Sequence, residues 1–189
     1  MADISLQCQC GAVKGRATSV SPKSGNHIVC YCSHCQQFMK QLDKQTWLDS
    51  NGGSSIFQLA PCRLAITQGS DQLRCLRLTP KGPLRWYTAC CHSPVANAFS
   101  ASMPLVGLIT SFIASEAERQ ELGQVKYFVQ GQDAIGTPPH PEVAPKFPGK
   151  LIRKIMRQAL IGKICGRHKP NPFFTEQGKP VSKPGRLSS

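Results

Sequence analysis

The chain has 189 residues, about one domain's worth, so it can bury one core without needing disulfides. Hydrophobic residues make up 40% and charged residues 17%, which excludes a disordered chain and a membrane bundle. Two features stand out: a formal net charge of +13 and ten cysteines.

The first ten residues, Met1 to Cys10, have no basic n-region and no apolar h-region, so no secretory signal is expected. The longest apolar stretch, Met103 to Ile109, contains Pro104 and Gly107 and is too short to span a bilayer. The expected location is the cytoplasm, where thiols stay reduced and clustered cysteines serve as metal ligands or reactive thiols before disulfides.

Along the chain, short strands are predicted at 11–17, 26–30, 55–60, 63–67, 72–78 and 84–88. Turn signals separate them at Gly52-Gly53, Gly69-Ser70-Asp71 and Pro80-Lys81-Gly82-Pro83. This pattern predicts a mainly β fold of short antiparallel strands. Two helices follow. Ser115-Glu116-Ala117-Glu118 reads as a capping box opening a helix over about 116–122, ending at Gly123. The second covers about 149–164. Leu151, Ile152, Ile155, Met156, Ala159, Leu160 and Ile164 fall on one face, with Lys150, Arg153, Lys154, Arg157 and Gln158 largely opposite. Gly162 weakens its last turn and Gly166 ends it.

Gly136-Thr137-Pro138-Pro139-His140-Pro141 is a turn-rich break. It divides a body, residues 1–135, from a basic helical extension, residues 136–189, expected to pack on it. Residues 1–140 carry 12 basic and 8 acidic side chains; residues 141–189 carry 11 and 2, a net +9. Most of the charge therefore belongs to the extension.

The cysteines are clustered. Cys8 and Cys10 form C-x-C, Cys30, Cys32 and Cys35 form C-x-C-x-x-C, and Cys90 and Cys91 are adjacent. Cys62, Cys75 and Cys165 stand alone and read as small buried apolar residues. Zinc favours thiolates: four close a structural site, and three leave a position for water or substrate. Two metal sites are expected. One comprises Cys8, Cys10, Cys90 and Cys91, with His92 competing with Cys90 as the fourth ligand. The other comprises Cys30, Cys32 and Cys35. Neighbouring residues on a strand point oppositely, so Cys90 and Cys91 share an ion only if the backbone turns, which His92-Ser93-Pro94 favours. The alternative for the triple is inert or redox thiols. A redox C-x-x-C opens a helix beside a βαβ unit, and this stretch does not read that way. Asp43 is the nearest downstream acid.

At these residues the sequence resembles a family. Cys8-Gln9-Cys10-Gly11-Ala12-Val13 and Cys30-Tyr31-Cys32-Ser33-His34-Cys35-Gln36 resemble the C-x-C-G-x-V and C-H-C-x-x-C-(R/Q) motifs of the glutathione-dependent formaldehyde-activating enzyme and centromere protein V family. Cys90-Cys91-His92-Ser93-Pro94-Val95 is similar to that family's late C-x-x-C-G-x-x-L knuckle. The match covers roughly residues 5–130. It implies a "β-tent" fold, a structural zinc on the early C-x-C and the late pair, and a more exposed zinc on the triple. It also implies a carbon–sulfur lyase type reaction on a thiol adduct of an aldehyde, with a glutathione-like substrate. Two departures stand out: the first late cysteine falls on Thr88, and the knuckle glycine is replaced by His92. The string Arg85 to Cys91 marks a bacterial branch, and the basic extension lies outside the family's general domain.

A second class of function is a non-catalytic, zinc-stabilised module. Its basic helix would bind nucleic acid by counterion release, an acidic protein partner or an anionic membrane surface.

Overall fold

A computed structural model describes residues 1–137 and 142–186; Pro138 to Pro141, within the predicted break, lie outside the described residues. In chain order the elements are β1 (Ala2–Gln7), β2 (Lys14–Val20), β3 (Asn26–Cys30), α1 (Ser33–Gln41), β4 (Ser54–Leu59), β5 (Leu64–Gln68), β6 (Leu73–Arg77), β7 (Leu84–Thr88), β8 (Pro94–Ala98), β9 (Val106–Ile109), α2 (Glu116–Gln120), β10 (Tyr127–Val129), α3 (Gly149–Ile164) and β11 (Gly185–Arg186). The fold is mainly β. One sheet has the order β1-β2-β5 and the other β10-β3-β4-β9-β8-β7-β6-β11. The pairings are antiparallel except β10 with β3 and β11 with β6.

Period-two side-chain alternation lets the large sheet serve two cores. On one face Phe57, Leu59, Leu84, Trp86, Val106 and Leu108 pack against Ile4, Leu6 and Ala17 of the small sheet and Val13 of its β1–β2 connection. On the other face Ile28, Cys30, Ile56 and Ile109 pack with Cys35 and Met39 of α1 and Leu151 of α3. Adjacent Ile56 and Phe57 thus fall in different cores. A central strand buried on both faces loses its polar–apolar alternation, which is why β8 and β9 read poorly from sequence.

The extension contributes to both cores. Phe173 and Phe174 belong to the larger one, and Phe173 lies 5.1 Å from Trp86, centroid to centroid. The described helices depart from expectation in two places, at α1 and in the orientation of α3. The stretch after Cys32 is a helix, α1, and the C-x-x-C does open it. Cys32 occupies the N-cap, with its sulfur accepting from Cys35 N–H at 3.4 Å. Sulfur is an unusual cap, so the ordinary Ser/Thr/Asp/Asn start signal was missing. The helix then buries only Cys35, Phe38 and Met39.

α2 starts as predicted, with Ser115 Oγ accepting from Glu118 N–H at 3.2 Å. The other half of the box is diverted. Glu118 Oε1 accepts from Ser5 N–H at 2.6 Å, because strand β1 brings that donor within reach. α3 has the predicted bounds, and Gly166 follows it with φ of +66°. Its orientation differs from expectation. Leu151 and Gly162 are buried, while Ile152, Met156, Leu160 and Ile164 are exposed. Among the lone cysteines only Cys75 is buried; Cys62 is half-buried and Cys165 exposed.

Candidate metal centre

The first sulfur cluster joins two loops. Cys8 and Cys10 sit in the β1–β2 hairpin connection, whose turn is closed by Gly11 N–H donating to Cys8 O at 2.9 Å. Gly11 has φ of +78°, a conformation that suits glycine. Val13 N–H donates to Cys8 Sγ at 3.2 Å. Cys90 and Cys91 sit in the β7–β8 connection, where His92 N–H closes on Thr88 O at 2.9 Å and His92 takes φ of +54°. The expected backbone turn is present, and His92 occupies the left-handed position where the resemblance places glycine.

Cys8, Cys10, Cys90 and Cys91 carry sulfurs that all lie within 4.8 Å of one another. Four of the separations are 3.6 Å (Cys8–Cys10), 3.8 Å (Cys8–Cys90), 3.4 Å (Cys10–Cys90) and 3.8 Å (Cys90–Cys91). A tetrahedron of thiolates at about 2.3 Å from zinc sets sulfurs about 3.8 Å apart. The donor set therefore fits that ion. His92 is exposed, packs its ring on Tyr87 and is not a member of this group.

Thr88 does not replace the missing cysteine as a ligand; it supports one. Its Oγ1 accepts from Ser93 N–H at 3.1 Å and lies 3.5 Å from Cys91 Sγ. Ser93 Oγ accepts from Gln9 N–H at 2.9 Å and lies 3.2 Å from Cys91 Sγ. Each hydroxyl has taken a backbone donor, so its own proton is free for sulfur. Burial opposes ionisation of Cys91, but these hydroxyls, together with hydrogen bonds from the Cys10 backbone and thiol, pull its thiol down to about 5. Burial pushes the Cys8 thiol up, opposed by the Val13 N–H.

The second cluster lies where β3 meets α1. Cys30 ends the strand, Cys32 caps the helix and Cys35 lies in its first turn, and their sulfurs are within 4.8 Å of one another. Among the described residues no fourth Cys, His, Asp or Glu joins them. Hydrogen bonds from Cys30 and Cys35 pull the Cys32 thiol down to about 2, and the same sharing pushes Cys30 up. One thiolate is thus favoured before any ion binds.

The sequence reading missed Arg85. Strand β7 alternates Leu84 and Trp86 against Arg85 and Tyr87, which reads as a wet face. The α1 helix covers that face instead. Arg85 is only 5% exposed, its guanidinium lies over the Phe38 ring at 5.6 Å, and its Nη1 reaches Cys35 Sγ at 3.7 Å and Asn97 Oδ1 at 3.3 Å. No carboxylate forms an ion pair with it among the described residues. A buried cation requires a counter-charge, and the sulfur cluster is the group in contact with it. Arg85 also lines a cavity of about 270 Å³ with His34, Thr79, Lys81 and Pro83.

Asp43 lies beyond the C-terminal end of α1, away from the triple, because the nine-residue helix intervenes. The acid at the helix start is Asp133, whose Oδ2 accepts from Ser33 N–H at 2.9 Å.

No curated protein matches this chain. A crystal structure of a Rhodobacter sphaeroides protein is similar over 65% of this chain and 97% of its own, with 15% identity and a TM-score of 0.44. The sequence model of a family of unknown function, DUF6151, matches residues 1–184, and the chain belongs to that family.

Proposed function

We propose that this is a two-zinc protein whose Cys8/Cys10/Cys90/Cys91 site is structural and whose Cys30/Cys32/Cys35 site works on a thiol adduct of an aldehyde. This follows the resemblance to the glutathione-dependent formaldehyde-activating family. The observation that carries the reading is the unequal pair of clusters: four sulfurs in one, and three sulfurs beside a buried, carboxylate-free Arg85 in the other. Zinc with three thiolates bears a net charge of −1, which Arg85 offsets.

Bound zinc would supply a position for an incoming thiolate and lower that thiol's pKa. The chain's own groups would do the rest. Arg85 holds the cluster's charge, and Lys81 with Arg85 makes the adjacent cavity cationic, suited to a thiol bearing carboxylates. In the addition the thiol sulfur bonds the aldehyde carbon, the carbonyl π pair moves to oxygen, and the thiol proton ends on that oxygen. Nothing is oxidised or reduced. The lyase direction is the reverse.

The test has two readouts. Elemental analysis is expected to give two zincs per chain, falling to one in Cys32→Ser. Zinc-loaded wild type is expected to form S-hydroxymethylglutathione faster than the uncatalysed mixture, and Cys32→Ser to lose that excess rate. One zinc per chain, unaffected by Cys32→Ser, would leave the triple as free thiols and remove the second site. Two zincs without any rate above background, over several aldehydes and thiols, would leave a metal-binding module without this activity.

A further inference from the structure

α3 docks through one side only. Leu151 is buried with Ile28, Cys30 and Met39, and Ile155 packs beside it. Gln158 Oε1 accepts from Asn26 Nδ2 at 2.7 Å. A Cβ on Gly162 would lie 2.8 Å from Pro104 Cβ, so the helix runs tight against the body there. At about 100° per residue these positions share one side of the helix.

The opposite side carries an apolar ridge. Ile152, Met156, Leu160 and Ile164 recur at every fourth residue, and they are 43%, 66%, 62% and 77% exposed. Lys163 flanks the ridge on one side, and Arg153 and Arg157 on the other. Residues 149–169 contain seven Lys or Arg and no Asp or Glu. Beside the helix, Arg63, Arg157 and Arg167 line a cavity of about 120 Å³ together with Leu105 and Ile161.

An occupant must satisfy both the apolar ridge and its basic margins. A second copy of the chain would set seven cations against seven. A nucleic acid would meet the cations and leave the ridge in water. An anionic bilayer surface offers an acyl boundary for the ridge and phosphates for the margins and the arginine-lined cavity. We propose that α3 seats the protein on the surface of an anionic lipid bilayer, lying in its plane. The helix has 16 residues, and no described helix is long and apolar enough to cross a membrane.

Co-sedimentation of the zinc-loaded full chain with two kinds of vesicle tests this: phosphatidylcholine alone, and equimolar phosphatidylcholine and phosphatidylserine. Partition into the anionic vesicles is expected to be at least about tenfold stronger, and to weaken with salt. Met156→Glu with Leu160→Glu is expected to lower it by at least about tenfold, with zinc content and circular dichroism unchanged. Ile164→Glu is the alternative should that pair disturb folding. Arg153→Glu with Arg157→Glu is expected to lower partition similarly. Absent binding at low salt, or equal partition into both vesicles, would overturn the proposal. So would wild-type partition by the ridge variants combined with full competition by duplex DNA, which would assign the face to nucleic acid.

Discussion

Cys91 shows how single side chains prepare a candidate metal ligand. Its two hydroxyl neighbours each accept from a backbone N–H, which leaves their own protons free to donate to sulfur. Thr88→Val keeps the shape and removes one of these donors, and leaves the buried Ser93 N–H unpaired. Removing a group that orients a ligand typically costs 10–100-fold in metal affinity, about ten to a hundredfold here. Competition with a chromophoric chelator should show that weakening at the four-sulfur site and little change at the other. Equal affinity would mean that these hydroxyls do not support the site.

A second residue gives a pH signature. His27 Nδ1 lies 2.8 Å from Gly123 O and Nε2 lies 3.1 Å from Ser55 Oγ. Burial, with Lys126 nearby, holds its pKa below the usual 6.5 against the pull of the Gly123 carbonyl. The unfolded chain therefore takes up a proton, as pH falls below 6.5, that the folded chain refuses. The stability this contributes is full above pH 6.5 and is lost as pH falls through the folded value. The difference in melting temperature between wild type and His27→Gln should hold constant from pH 7.5 to about 6.5 and shrink from there to pH 5. A constant difference would show that His27 does not couple folding to pH.

At the scale of elements, α3 is the instructive case. Its periodicity gave the right bounds, but an amphipathic pattern does not say which stripe faces the body. Gly162 helps decide it. In an exposed helix Gly162→Ala would gain about 1 kcal/mol from propensity alone. Here the new Cβ meets Pro104 at 2.8 Å, and overpacking of this kind costs about 1–3 kcal/mol. Denaturant unfolding should find Gly162→Ala less stable than wild type, and a stabilised variant would show that α3 rides loosely on the body. Helix α1 illustrates the converse. It was illegible because its cap is a sulfur, its apolar content is small, and its cysteines read as ligands. Those same cysteines are metal-ligand candidates because the helix start and the strand end place them together.

At the scale of the molecule, the basic extension is integral to the packing. Phe173 is buried on Trp86, at the centre of the larger core. Phe173→Ala should cost about 3–5 kcal/mol by thermal or denaturant unfolding. A change below 1 kcal/mol would mean that the extension packs only at the periphery. The sequence alone determined a mainly β chain with six of its short strands, β2 to β7, both helices with a recognisable cap or periodicity, and the three cysteine clusters; β1 and β8 to β11 were not legible in it. These are local properties: spacing, propensity and composition act within a few residues. The grouping of Cys8 and Cys10 with Cys90 and Cys91 was expected from the sequence, but only the tertiary structure decided that the Cys90–Cys91 backbone turns so that all four sulfurs lie within 4.8 Å, that Arg85 is the cation beside Cys35, and that the apolar ridge of α3 faces outward. Each depends on which surfaces are covered when distant strands pair, and strand pairing across 80 residues leaves no periodic trace in the chain.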